Sequence, residues 1–587
     1  MKKIVKRIGW FIKEERFSYA MGIAALGLIA ILNLIPPKII GNVIDSIVEN
    51  TLTSEALLLY LLVFLAIGVV VYFLRYAWRM FIFGTSYRLE RKMRMSLFKH
   101  FTRMSPSFYQ KYRTGDLMAH ATNDIRAIQR VAGGGVLQFA DSILTGVSVL
   151  IAMFLSVDWK LTLLALIPMP FMIIGAQKLS KKLHEAFFDA QASFSDMNNR
   201  VHESISGIKV MKAFGQEKSD INRFGEVTDD VYNRYYRVSL IDVLFEPLFT
   251  IVIMSSYVII LWFGIRLIQQ GEITTGRLST FISYVHQLMW PMMAIGFLMN
   301  TIERGNASFD RIEKIMNEEE SVLNHNKNEY QIPHGDLCFN LEHFKYPNDE
   351  HPVLKDIQFT LKQGQTLGIV GKTGSGKSTL IKLLLREYDG YQGYIELDGV
   401  NIKEYNLHAL RDAVGYVPQD NFLFSMSIED NIRFGNPEIT HEEVIEAAKI
   451  ADVHDDIVDF EFGYETLMGE KGISLSGGQR QRVSIARALV LKPNILILDD
   501  SLSAVDAKTE EKILSGLKYS RQNETTIISA HRLSALKHAD LILVLDEGQI
   551  IERGTHASLM EAQGWYAKIF KQQEYEREEH QDGSIDN

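Results

Sequence analysis

The chain has 587 residues, a formal net charge of -9 and a single cysteine, Cys338. That length exceeds one globular domain, and an acidic balance with no basic stripe excludes a nucleic-acid binder. One cysteine excludes an intramolecular disulfide and a cysteine-based metal site.

The N-terminus, MKKIVKRIGWFIKEER, is cationic and amphipathic and precedes no small-residue cleavage site, so it is expected to lie as a helix on the membrane surface. Six apolar runs then reach the roughly 20 residues that a bilayer crossing requires. They fall at about 18–40, 56–83, 134–156, 161–179, 240–268 and 278–300. Lys and Arg concentrate in the segments 85–132 and 180–239, among them Arg88, Arg91, Lys92, Lys181 and Lys182. The other connections are short and poor in them. This asymmetry predicts that both long loops and both termini are cytoplasmic. Each long loop reads as a helical hairpin whose tip meets the soluble part. The first tip is expected at Gly115-Asp116, with helix-start residues Thr122, Asn123 and Asp124, and the second between Gly207 and Gly215.

The transmembrane domain is expected over 1–316, a polar linker over 317–330, a nucleotide-binding domain over 331–575 and a charged, unstructured tail over 576–587. The soluble part alternates β-rich runs (QTLGIV, NILILDD, TTIISA, LILVLD) with helical segments, which predicts a parallel sheet with crossover helices. The fold class is therefore an all-α six-helix transmembrane domain with long cytoplasmic extensions, followed by an α/β P-loop domain.

The run GKTGSGKST, from Gly371 through Lys372, Thr373, Gly374, Ser375, Gly376, Lys377 and Ser378 to Thr379, fits the phosphate-loop pattern between a strand and a helix. Its glycines permit turns whose amides point at phosphate oxygens, and the helix start adds its dipole. Lys377 is expected to reach the β- and γ-phosphates of ATP, and the Ser378 hydroxyl to ligate Mg²⁺. Asp499, at the end of the apolar strand ILILD, is expected to bind the same ion.

Together with LSGGQ (Leu475, Ser476, Gly477, Gly478, Gln479), these motifs resemble the ABC (ATP-binding cassette) transporter family, and six spans before the cassette resemble its exporter half-transporters. The resemblance implies that Tyr346 stacks on adenine and that Gln419 in YVPQD senses Mg²⁺ and γ-phosphate. It implies that GEKG (Gly469 to Gly472) communicates across cassettes, that Ser503 to Asp506 form the D-loop, and that His531 is the switch histidine. It also implies that Leu475 to Gln479 and Asp506 act on the site of a partner cassette, so that two chains work together.

The family's catalytic glutamate is replaced here by Asp500. Aspartate keeps the charge but is one methylene shorter, and misplacement by roughly an ångström can cost on the order of 10²-fold in rate. The chain thus most resembles the Asp-bearing half of bacterial heterodimeric multidrug exporters. The expectation is ATP-driven export of hydrophobic or amphiphilic compounds across the plasma membrane, beside a second, non-identical half and among membrane lipids, with no nucleic acid involved. The alternatives are a lipid or peptide exporter of the same architecture, or a homodimer in which Asp500 is a working base. Asp141, Glu246 and His286, polar residues in or near the spans, are candidates for the substrate cavity.

Overall fold

The computed structural model describes residues 2–156, 158–322, 324, 330–347, 349–469 and 475–582. The chain separates into two compact units. One holds the chain up to Thr102 together with Thr114–Glu318, and the other holds Arg103–Arg113 together with the chain from Glu319 onward.

Six helical runs in the first unit are long and apolar enough to cross a membrane: Arg16–Val48, Ser54–Arg103, Thr114–Leu155, Trp159–Ser206, Glu217–Gln269 and Thr275–Met316. The second is one unbroken helix of 50 residues, about 75 Å at about 1.5 Å per residue, against a hydrocarbon core of about 30 Å. The excess length is the helical extension expected from the long polar loops. Local chemistry sets the breaks. In the first run a helix ends at Leu32 and another starts at Ile35, with Pro36 and Pro37 in its first turn, where a missing N–H costs least. Asp158 caps the fourth run by accepting the Leu161 N–H at 2.7 Å. Small residues bring the first and sixth runs together: a Cβ on Gly276 would sit 1.9 Å from the Gly41 carbonyl oxygen. The Asp45 carboxylate ties the pair by accepting from Thr274 Oγ1 and from the Gly276 N–H, each at 2.6 Å.

The tip of the first long loop differs from expectation. A short helix, Pro106–Lys111, forms it, and Gly115 and Asp116 lie within the next helix, Thr114–Ala119. Pro106 sets the break, because it cannot donate to a continuing helix but suits a first turn. Thr122, Asn123 and Asp124 start no helix; they lie in a π-helical turn, His120–Asp124. Asp124 is instead buried and accepts hydrogen bonds from Arg311 and His120. Within the second unit, Ser105 and Ser107 of this tip hydrogen-bond to Ser321. The second tip is the helix Ile208–Ala213, preceded by Gly207 and followed by Gly215, which has a φ of +61°.

The second unit contains two sheets. Strands β1 (Leu337–Phe344), β2 (Leu354–Leu361), β4 (Tyr391–Leu397) and β5 (Val400–Asn401) form an antiparallel sheet ordered β2-β1-β4-β5. Strands β3 (Thr366–Gly371), β6 (Val414–Val417), β7 (Ile495–Asp499), β8 (Thr525–Ser529), β9 (Leu541–Asp546) and β10 (Gln549–Gly554) form the other, ordered β10-β9-β3-β8-β7-β6. Its strands pair in parallel except β10, which runs antiparallel to β9. The four runs read as strands from sequence are β3, β7, β8 and β9. The antiparallel sheet was not foreseen, and Cys338 lies in its central strand β1. All five residues of β7 and of β8 are buried, as strands covered on both faces must be. The acidic C-terminal segment is a correction: the helix Trp565–Asp582 carries it well past residue 576. Its Glu, Gln and Arg residues are good helix formers, and no glycine intervenes before Gly583. Residues 583–587 lie outside the described residues.

Candidate active site

The site is built where β3 turns into the helix Lys377–Leu384. Gly371 ends the strand so close to β9 that a Cβ there would sit 2.1 Å from the Leu545 carbonyl oxygen. Gly374 and Gly376 have φ of +83° and +102°, which a residue with a side chain adopts only under strain. The loop therefore needs its glycines for two reasons, close approach and left-handed turns. It curls around the Lys377 side chain, whose Nζ donates to the carbonyls of Gly371 at 2.9 Å and Lys372 at 3.0 Å. The Ser375 hydroxyl oxygen is buried and has no partner among the described residues.

Parallel pairing places the ends of β7 and β8 beside this loop. Ser378 Oγ donates to Asp499 Oδ1 at 3.2 Å, and Asp499 is only 3 % exposed. Burial pushes its carboxyl above the usual range; the hydrogen bond from Ser378 opposes this, and the neighbouring Asp500 charge adds to it. Burial lowers the Lys377 ammonium pKa, against the attraction of Asp500 and Asp499. A hydroxyl and two carboxylates gathered around one buried ammonium make an oxygen-rich donor set, which fits a hard divalent cation such as Mg²⁺.

Asp500 sits just past β7 at φ +50°, with its N–H bonded to the Ser529 carbonyl at 2.8 Å. Its Oδ2 accepts from Gln419 Nε2 at 3.2 Å. His531, exposed two residues past β8, lines the same small crevice as Asp500 and Ser529. The Tyr346 hydroxyl is 2.9 Å from Thr379 Oγ1, which holds the ring at the phosphate-loop helix. Phosphate loop, Asp499, Asp500, Gln419, His531 and Tyr346 are thus gathered around one helix start.

The LSGGQ residues stand elsewhere, at the start of the helix Gly477–Leu489. Leu475 is buried, while Ser476 and Gly477 are exposed. Ser476 and Gln479 form a reciprocal capping box: Ser476 Oγ accepts the Gln479 N–H, and Gln479 Oε1 accepts the Ser476 N–H. Asp506 caps the helix Ala507–Ser520 by accepting from the Lys508 and Thr509 N–H groups, which hold its carboxyl below the usual range. Of GEKG only Gly469 is described; Glu470, Lys471 and Gly472 lie outside the described residues.

One positioning residue was missed from the sequence. Gln481 is 1 % exposed. It accepts the Ala504 N–H at 3.0 Å through Oε1 and donates to the Asp500 carbonyl at 3.4 Å through Nε2, fastening the signature helix to the D-loop and the end of β7. The signal was a glutamine on the inward face of an otherwise basic run, GGQRQR.

In the first unit a cavity of about 580 Å³ lies among Pro36, Pro37 and Ile40 of the first run, Thr145 of the third, and His286, Trp290 and Met293 of the sixth. Trp290 Nε1 donates to Asp141 Oδ2 at 3.2 Å, so Asp141 sets the indole at the cavity wall. Glu246 is not brought to this cavity. It is exposed in the first turn of the helix Phe245–Gln269.

Residues 19–292 match the family model described as ABC transporter transmembrane region, and residues 354–503 match that described as ABC transporter. The chain is 44 % identical over 574 residues to the "Probable multidrug resistance ABC transporter ATP-binding/permease protein YheI" of Bacillus subtilis, covering 98 % of each chain. It is 41 % identical over 574 residues to the "Multidrug resistance-like ATP-binding protein MdlA" of Escherichia coli, covering 98 % of this chain and 97 % of the relative. Its fold matches a solved bacterial Atm1-family ABC exporter with ATP bound, at a TM-score of 0.78 and 24 % identity, covering 96 % of this chain and 98 % of that one. The chain therefore belongs to the ABC transporter family, as a multi-pass membrane exporter whose cassette couples ATP hydrolysis to transport.

Proposed function

We propose that this chain is one half of a heterodimeric multidrug-type exporter of the plasma membrane, and that the site on its own phosphate loop binds ATP but turns it over slowly or not at all. The observation that carries this reading is Asp500. It stands directly after Asp499, where the family has a longer carboxylate, and its oxygen is engaged by Gln419 at 3.2 Å. Phosphoryl transfer depends on placing the attacking water in line, so a carboxylate drawn back by one methylene loses positioning while keeping its charge.

On this reading the loop amides and Lys377 bind the triphosphate, Tyr346 takes the adenine, and His531 faces the γ-phosphate. Ser378, Asp499 and Gln419 would hold Mg²⁺ arriving with the nucleotide, and the ion would neutralise developing charge. The exposed Ser476 and Gly477, with Gly478 and the D-loop, complete the site of a second, non-identical half, which carries the competent chemistry. Both termini are cytoplasmic, on the asymmetry of Lys and Arg among the loops. The multidrug class is supported by the names of the relatives and by a cavity walled by Trp290, Met289 and Met293, apolar side chains that adapt to varied ligands.

The test is Mg²⁺-dependent ATPase activity in lipid, with and without hydrophobic compounds, for this chain alone and co-expressed with a non-identical half. The expected result is near silence alone and compound-stimulated turnover in the pair. Full turnover by the lone chain would establish a homodimer with Asp500 as a working base.

A further inference from the structure

The geometry of the LSGGQ loop depends on a residue outside it. Gln479 uses both ends of its amide. Oε1 accepts the Ser476 N–H at 3.0 Å, and Nε2 donates to Asp456 Oδ1 at 2.9 Å. Asp456 belongs to the short helix His454–Val458, some twenty residues before the loop. Its other oxygen takes Arg482 Nη1 at 2.8 Å, one turn further along the signature helix. The carboxylate thus grips that helix at two successive turns on one face, from positions i and i+3.

A glutamine amide presents an oxygen on one side and an NH₂ on the other, and a carboxylate only accepts. Asp456 therefore fixes which way Gln479 is flipped: the NH₂ must face Asp456, so the oxygen faces the Ser476 N–H. That in turn commits Ser476 Oγ as acceptor from the Gln479 N–H at 3.2 Å. The Ser476 hydroxyl proton is left free to donate, with Ser476 and Gly477 exposed and Gly478 half-buried beside them. With the amide reversed, NH₂ would confront N–H at Ser476, and the cap would open. Arg482 also donates to the Asp452 carbonyl, and Asp452 accepts from Lys512 on the helix that Asp506 caps. The grip is thereby anchored to the D-loop helix.

We propose that Asp456 is a positioning residue for ATP turnover: acting through Gln479, it sets the donor face that Ser476 and the two glycines offer to the triphosphate of a second cassette. This rests on the reading that the signature serves a partner's site.

The experiment uses the complex of this chain with its non-identical half and reads kcat/KM for MgATP in Asp456→Ala, Asp456→Asn, Gln479→Ala, the Asp456→Ala/Gln479→Ala double variant and Ser476→Ala. Asp456→Ala should lower kcat/KM about tenfold, the scale of one hydrogen bond to a charged group. Gln479→Ala should do the same, and the double variant should lose no more than either single one, because both break one linkage. Asp456→Asn keeps an acceptor for Gln479 and should recover part of the loss. A merely structural role would instead lower the melting temperature and add its effect to that of Gln479→Ala. Additive losses, or an unchanged kcat/KM in Asp456→Ala while Ser476→Ala is impaired, would overturn the role of Asp456 alone. An unchanged kcat/KM in Ser476→Ala would remove the reading of the signature beneath it.

Discussion

Two glycine-rich helix starts in the second unit are alike in sequence and differ in what surrounds them. At Lys377–Leu384 the chain supplies everything behind the loop: a lysine that is 7 % exposed, a serine bonded to Asp499, and a second carboxylate at Asp500. At Gly477–Leu489 the start exposes Ser476 and Gly477, while Gln479 and Gln481 are tied back into the chain. Both use backbone N–H groups at a helix N-terminus as an anion surface. On the proposed reading, the first serves this chain's own nucleotide and the second a phosphate held by another cassette, so the chain would contribute to two different half-sites.

The sharpest way to break the contrast is at the ammonium. Lys377→Ala removes the lysine around which the phosphate loop curls, and nucleotide affinity of this chain should fall on the order of 10²-fold, measured with a fluorescent ATP analogue. Ser476→Ala should leave that affinity unchanged; an equal loss in both variants would erase the distinction. Asp500→Glu restores the missing methylene and should raise hydrolysis at this chain's own site, by as much as about 10²-fold. Gln481→Leu leaves the Ala504 N–H and the Asp500 carbonyl without their buried partner. It should cost about 1–3 kcal/mol, read as a lowered melting temperature of the purified protein.

The smallest effect concerns the D-loop cap. The N–H groups of Thr509 and Lys508 hold the Asp506 carboxyl below its ordinary range. Its folded value is thus lower than its unfolded one, so the stabilisation is present above the ordinary carboxylate pKa and is lost as pH falls through the lowered value. Asp506→Asn keeps the cap and removes the charge. The melting-temperature difference between the two proteins should therefore be small at neutral pH and vanish in acid. A difference that grows in acid would contradict the cap.

The phosphate loop, Asp499, Asp500 and the LSGGQ run were legible because each is a contiguous motif whose chemistry is fixed by short spacing. The spans were legible because the bilayer demands length and apolarity from one segment at a time. What escaped the sequence depends on contacts between distant segments. Gln481 and Asp456 look like ordinary polar residues until folding brings Ala504 and Gln479 to them. The antiparallel sheet escaped because, although LCFNL reads as a strand, its pairing with β2 and β4 depends on segments far apart in the chain. At the tip of the first long loop the break is expected at Gly115-Asp116, but Pro106 makes it, because proline is the stronger helix breaker. Glu246 was grouped with Asp141 and His286 by hydropathy alone, and packing separates them.

The most direct measurement is ATP turnover in the complex when the partner's catalytic carboxylate has been neutralised, so that only the site on this chain's phosphate loop is left. With Asp500 present, turnover is expected at background although nucleotide is bound, and it is expected to rise when Asp500→Glu is introduced. Turnover that is already full with Asp500, and unmoved by the longer side chain, would contradict the asymmetry between the two sites.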